Sequence, residues 1–76
     1  MYRYLVIFEQ GPTSWGAYIP DLPGCVAVGD TREEVEQSIH TALAMHLQSM
    51  LDDNEAIPPA TSSAEEIEVS LPHPVS

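Results

Sequence analysis

The stretch Pro20-Asp21-Leu22-Pro23-Gly24-Cys25, followed at once by Val26-Ala27-Val28 and Gly29-Asp30-Thr31-Arg32-Glu33-Glu34, leaves this chain few ways to fold. Its first part is barred from helix and from sheet interior. Two prolines lack a backbone donor, and Gly24 has access to backbone angles closed to other residues. Its last part is a helix start: a turn glycine (Gly29), an oxygen-bearing cap (Thr31), then acids in the first turn. Thr31 with Glu34 three residues on matches a capping box. The intervening Val26-Ala27-Val28 is short and β-prone. A shaped loop, a strand and a capped helix are thus specified within a few turns of chain.

The remaining elements follow from periodicity. Tyr2 to Glu9 reads as a strand with Tyr4, Val6 and Phe8 on one side and Leu5 and Ile7 on the other. Both sides are apolar, so a central strand covered on both faces is expected. Gln10 to Ser14 has turn composition, and Trp15 to Ile19 is the second strand, with Trp15, Ala17 and Ile19 sharing a face. The helix is expected from about Thr31 to Met50 or Leu51. At about 100° per residue, Val35, Ile39, Ala42, Leu43, His46 and Met50 form its apolar stripe, with Leu47 at the edge. Asp52 and Asp53 help to end it, since the helix dipole disfavours anions there. Ile57 to Ser63 is a stiff connector. Ile67-Glu68-Val69-Ser70-Leu71 alternates and reads as a closing strand, paired in its own sheet or in a neighbour's. Residues 72–76 form a tail. The expectation is a single α+β domain over 1–76, its core about 1–71: a small antiparallel sheet, β-β-β-α-β, with one long helix on one face.

With 76 residues the core is marginal. One cysteine rules out an internal disulfide, so association into a homo-oligomer is the expected source of further stability. Twelve acids against Arg3 and Arg32 give a formal net charge of −10. Nucleic-acid affinity rests on Lys and Arg neutralising phosphates, so direct DNA or RNA binding is not expected. A basic protein partner suits the field better, although acidity can also serve solubility alone. No run approaches the roughly 20 apolar residues of a membrane span. The N-terminus lacks a signal-peptide pattern, and the lone cysteine fits a reducing compartment. A cytoplasmic location follows.

No motif for catalysis, cofactor or metal binding stands out, and no cofactor is expected. Cys25 lacks the sequence context of a nucleophile and is read as buried and inert. His46, within the apolar stripe, is read as a packed, hydrogen-bonded core histidine. His40 lies four residues after Glu36 and can pair with it. Six residues separate His40 from His46, about 120° around a helix, so the two cannot share an ion. Clustered carboxylates for Mg²⁺ chemistry are lacking: the first strand offers Glu9 alone, and Asp21 and Asp30 lie in loops.

The aromatic-rich first strand, Tyr18-Ile19-Pro20-Asp21-Leu22-Pro23-Gly24-Cys25, Gly29-Asp30-Thr31, Glu33-Glu34 and the helix ending before Ile57-Pro58 together resemble the HicB family of antitoxins over about residues 1–60. The resemblance implies a partly degraded ribonuclease H-like fold without catalysis. It also implies an antitoxin that covers a small basic mRNA interferase of the HicA type, which has a double-stranded-RNA-binding-like fold. Family members commonly form dimers or tetramers. Many carry a C-terminal DNA-binding unit, for which the residues after Leu71 leave no room, so none is expected here. Val35 stands where the family more often has alanine. On this reading the partner-binding candidates are Asp21, Leu22, Glu33, Glu34 and Glu36, and the structural motif is Pro20, Pro23, Gly24, Gly29 and Thr31. Two other readings remain open: a free-standing homo-oligomer with no toxin partner, and an enzyme with residual nuclease activity.

Overall fold

The computed structural model describes residues 1–72; His73 and the rest of the expected tail lie outside the described residues. The element order is β1 (Ile7–Gln10), β2 (Trp15–Tyr18), β3 (Val26–Gly29) and α1 (Arg32–Asp52). The strands form one antiparallel sheet in the order β1-β2-β3. Phe8, Ala17 and Ala27 lie in one cross-strand row, and Ile7, Tyr18 and Val26 in the next. The first row faces α1, which packs on β2 and β3. The second faces away.

β1 is therefore an edge strand, not the central one expected, and it is half as long. Its pairing ends at Ile7 because the partner, Tyr18, is the last residue of β2 before Pro20 turns the chain away. Residues 2–6 are left without a ladder. The sheet's outer face is uncovered, with Tyr18 39%, Val26 61% and Val28 79% exposed. The fourth expected strand, Ile67–Leu71, does not form: the segment pairs with no strand among the described residues and is exposed. It stands off the body as an arm. The radius of gyration is 16.3 Å, against about 11 Å for a compact chain of this length.

The proline loop is two consecutive turns. The Leu22 N–H donates to the Ile19 carbonyl at 3.0 Å, and the Cys25 N–H to the Leu22 carbonyl at 3.1 Å. Each turn has proline in its second position, where a fixed φ is an advantage. In the second, Gly24 takes φ +87°, as the third position of a type II turn requires. The Ile19 N–H to Cys25 carbonyl bond, 3.2 Å, closes the loop at its neck. The result turns Ile19, Leu22 and Cys25 inward, and these supply three of the seven buried core residues among those described. The others are Ala17, Val35, Ile39 and Leu47.

At the helix start, Thr31 is the N-cap and its hydroxyl accepts from the Glu34 N–H at 3.2 Å. The return bond departs from the standard box by one residue: the Glu34 carboxylate accepts from the N–H of Asp30, also at 3.2 Å. Gly29 is the last residue of β3, not a turn residue, and its role is close approach. A Cβ there would lie 3.1 Å from Val35 Cγ2. The missing side chain is what admits the fully buried Val35.

At the other end, Asn54 takes φ 56°. The Asn54 N–H donates to the Leu51 carbonyl and the Glu55 N–H to the Met50 carbonyl, a Schellman motif. Asn54 thus terminates α1, while Asp52 lies inside it and accepts from the Gln48 amide. The apolar stripe runs through Val35, Ile39 and Leu47, with Ala42 and Leu43 partly buried beside them. His46 is only half-buried and has no hydrogen bond among the described residues, in contrast to the packed core histidine expected.

Candidate interaction surface

The helix N-terminus carries the acidic face. Glu33 and Glu36 are exposed and, with Gln37, His40 and Thr41, line a shallow groove of about 610 Å³ along the outer side of α1. The three helix acids are not equivalent. Glu34 is spent on the cap. Glu36 is paired with Arg32 at 3.1 Å, which removes it from the expected pairing with His40. Glu33 is exposed and makes no hydrogen bond among the described residues, so of the three its carboxylate is the unengaged one. Arg32 also lies 4.1 Å from the centroid of the Phe8 ring, tying the acidic face to β1.

Asp21 and Leu22 do not belong to this face. The end of β2 pairs with the start of β3, whereas α1 begins after the end of β3. The loop and the helix N-terminus therefore lie at opposite ends of that strand, about 10 Å or more apart at the usual rise per residue. Leu22 is 1% exposed, a core side chain with nothing to offer a partner in this conformation. Asp21 accepts four hydrogen bonds, from the N–H and hydroxyl of Thr61 (both 3.0 Å) and from those of Ser62 (3.0 and 2.9 Å). The Ser62 N–H above all, with the other three donors, lowers its carboxyl below the ordinary aspartate range despite some desolvation. Asp21 is a clamp on the connector. Tyr4 clamps the same segment by donating its hydroxyl to the Pro58 carbonyl, and burial raises its phenol pKa.

Sequence reasoning missed this clamp. Its signal is a Thr-Ser pair after the connector prolines, two hydroxyls flanked by two N–H groups that suit one carboxylate. Cys25 is 2% exposed, and desolvation raises its thiol pKa, as suits a packing residue. Among the described residues no three His, Cys, Asp or Glu side chains come together to hold a metal ion. No described helix is long and apolar enough to cross a membrane.

The sheet's outer face, the acidic side of α1 and residues 67–71 are the chain's main exposed features among the described residues. Residues 4–74 match the model of a family described as HicB_like antitoxin of bacterial toxin-antitoxin system. The chain is 37% identical over 68 residues to Antitoxin HicB 2 of Photorhabdus laumondii, covering 88% of this chain and 49% of that protein. It is 39% identical over 68 residues to a UPF0150 protein of Thermoplasma acidophilum, covering 88% of this chain and 96% of that one. It spans 41% of a further relative from Haemophilus phage HP1, so the match is to about half the length of two of these proteins. The fold matches a chain in the structure of a HicA3 and HicB3 toxin-antitoxin complex with TM-score 0.65 at 22% identity, over 78% of this chain and 70% of that one.

Proposed function

Because this chain belongs to the HicB-like antitoxins of bacterial toxin-antitoxin systems, we propose that it binds and neutralises a small, basic mRNA interferase of the HicA type. The observation that carries this reading is the charge: −10 on a chain of 76 residues, with Glu33 and Glu36 exposed on the helix. A ribonuclease must hold the phosphates of its RNA with Lys and Arg. A folded acidic surface competes for those same cations, and opposite charge raises the rate of encounter. Inhibition is by occlusion of the RNA-binding surface. The antitoxin itself carries out no chemistry; any ribonuclease H-like ancestry survives in it as scaffold. The site of action is the cytoplasm, where mRNA is found.

Binding requires no opening of the fold, since Glu33 and Glu36 are already exposed. Leu22 and Asp21 support it only by holding the loop and connector in place. The test is an RNA-cleavage assay with a HicA-type toxin and this chain added in increasing amounts. Cleavage is expected to cease near a fixed stoichiometric ratio. Substitution of Glu33 and Glu36 by Gln should raise the amount needed, while the fold, judged by circular dichroism, stays intact. Undiminished cleavage at excess antitoxin would exclude the proposal.

A further inference from the structure

Building on the toxin-binding reading above, we infer that the outer side of α1 from Gln37 to Gln48 is the centre of the toxin contact, with Met45 as its apolar anchor. The occupant is a helix of the toxin, apolar in its middle and cationic at its ends.

The first observation is where charge is missing. The chain has 12 acids, yet between Glu36 and Asp52 there is no Asp, Glu, Lys or Arg. Burial does not explain this, because Gln37, Ser38, Thr41, Ala44, Met45 and Gln48 are all exposed. A helix that faces water ordinarily carries its charges on that side. Contact surfaces show the opposite arrangement: charge is depleted at the centre, methionine is enriched there, and the rim is polar. On α1 the rim is Glu33 and Glu36 at one end and Asp52 and Asp53 at the other, all exposed. Asp52 is partly engaged by the Gln48 amide at 2.9 Å.

The second observation is Met45, 68% exposed on that uncharged side. At about 100° per residue, Thr41 lies about 160° around the helix from the buried Ile39, and Met45 about 40° from Thr41. Met45 therefore plays no part in packing α1 on the sheet. Its unbranched thioether side chain adapts its shape to an apolar neighbour.

The third observation is relief. Glu33, Gln37, Thr41 and Met45 follow one another at four-residue spacing, about 18 Å from first to last. Such a row is the ridge by which helices interlock. A groove runs on either side of it. One is the groove with Glu33, Glu36 and His40; the other, also about 610 Å³, reaches Ala42 and Met45. Gln37 and Thr41 line both. A ridge between two grooves accepts the side-chain ridges of a second helix. An added strand would gain nothing here, because the side of a helix has no free backbone groups to pair with it. Acids at both ends and an apolar centre then set the pattern of the occupant, with Lys or Arg on either side of an apolar residue.

The two kinds of residue act on different rates. Glu33 and Glu36 act at a distance and govern encounter, whereas Met45 acts only once it is desolvated and governs release. Stopped-flow association and dissociation with the HicA-type toxin of the cleavage assay separate them. Met45→Ala should release the toxin about ten-fold faster or more, with the association rate and its salt dependence unchanged. Thr41→Arg, which places a cation in the centre, should also speed release. Val28→Ser, on the outer face of the sheet, should behave as the unsubstituted chain. Circular dichroism checks that each variant keeps its helix. A photo-crosslinking benzophenone side chain in place of Met45 should attach to a helix of the toxin. If the unsubstituted chain binds and Met45→Ala and Thr41→Arg release at its rate, or if the cross-link falls on a strand or loop, this inference is overturned and the toxin-binding reading stands. If the unsubstituted chain forms no complex, both fall.

Discussion

Ser62 donates both its N–H and its hydroxyl to the carboxylate of Asp21, at 3.0 and 2.9 Å. With the matching pair from Thr61, this makes the connector's position dependent on a charged group. The Asp21 pKa is lowered in the folded protein, by the Ser62 N–H first. A carboxyl with a depressed folded pKa contributes stability that is present above its unfolded value, about 3.9, and is lost as pH falls through the folded value. The Thr61 and Ser62 amide resonances should therefore hold their positions from neutral pH down to about 4 and titrate only below it. A midpoint at or above 3.9 would show that the clamp is absent in solution. Asp21→Ala should free both amides to solvent at neutral pH without melting α1.

Gly29 and Val35 make a paired test of close packing. Gly29→Ala drives a Cβ to 3.1 Å from Val35 Cγ2, an overpacking that typically costs about 1–3 kcal/mol. Val35→Ala opens space at the same spot. The double substitution should be less destabilised than the sum of the two singles, because each relieves the other. Urea denaturation of the four proteins measures it. Strict additivity would mean that the helix and sheet are not in contact there.

Gly24 should behave differently. A Cβ at Gly24 meets nothing within 4 Å, yet φ is +87°. The cost of Gly24→Ala is then backbone strain alone, about 1–2 kcal/mol, and it should not be recovered by trimming any neighbour. A D-alanine introduced by chemical synthesis prefers that φ and should be tolerated. If L-alanine and D-alanine were equally harmful, the turn assignment would fail.

Arg32 sits at the start of α1, where the helix dipole disfavours a cation. It is held there by the Phe8 ring at 4.1 Å and by Glu36 at 3.1 Å. Its side chain is 47% exposed, so solvent screens both contacts. A double-mutant cycle of Arg32→Ala with Phe8→Leu should return a coupling of about 0.5–1 kcal/mol. A coupling near zero would mean that the stacking contributes nothing in solution.

The parts of this fold that were legible in the sequence are those written locally. The Thr31 cap, the loop character of Pro20 to Cys25 and the strand-like character of Trp15 to Ile19 and Val26 to Val28 each depend on neighbours within a few residues. What escaped depends on tertiary context. Leu22 sits in a run that reads as loop, and only the closure of two turns by the Ile19–Cys25 bond sends it into the core. His46 and Leu47 differ by about 100° in helical phase, and packing against the sheet, not the pattern, decided which of the two is buried. Ile67–Leu71 has the alternation of a strand, but alternation says nothing of where a partner edge lies. Among the candidate site acids, the residue types were readable and their commitments were not. Glu34 went to Asp30, Glu36 to Arg32, and Asp21 to the connector, leaving Glu33 as the carboxylate without an internal role among the described residues.

The proposed function rests on an electrostatic embrace, and the association rate with a HicA-type toxin measures that most directly. Stopped-flow mixing across ionic strengths from about 0.02 to 0.5 M spans Debye lengths from over 20 Å down to about 4 Å. The account predicts a rate constant that falls steeply with salt, and falls less steeply for Glu33→Gln/Glu36→Gln. A rate constant indifferent to salt, or no complex at any salt, would contradict it.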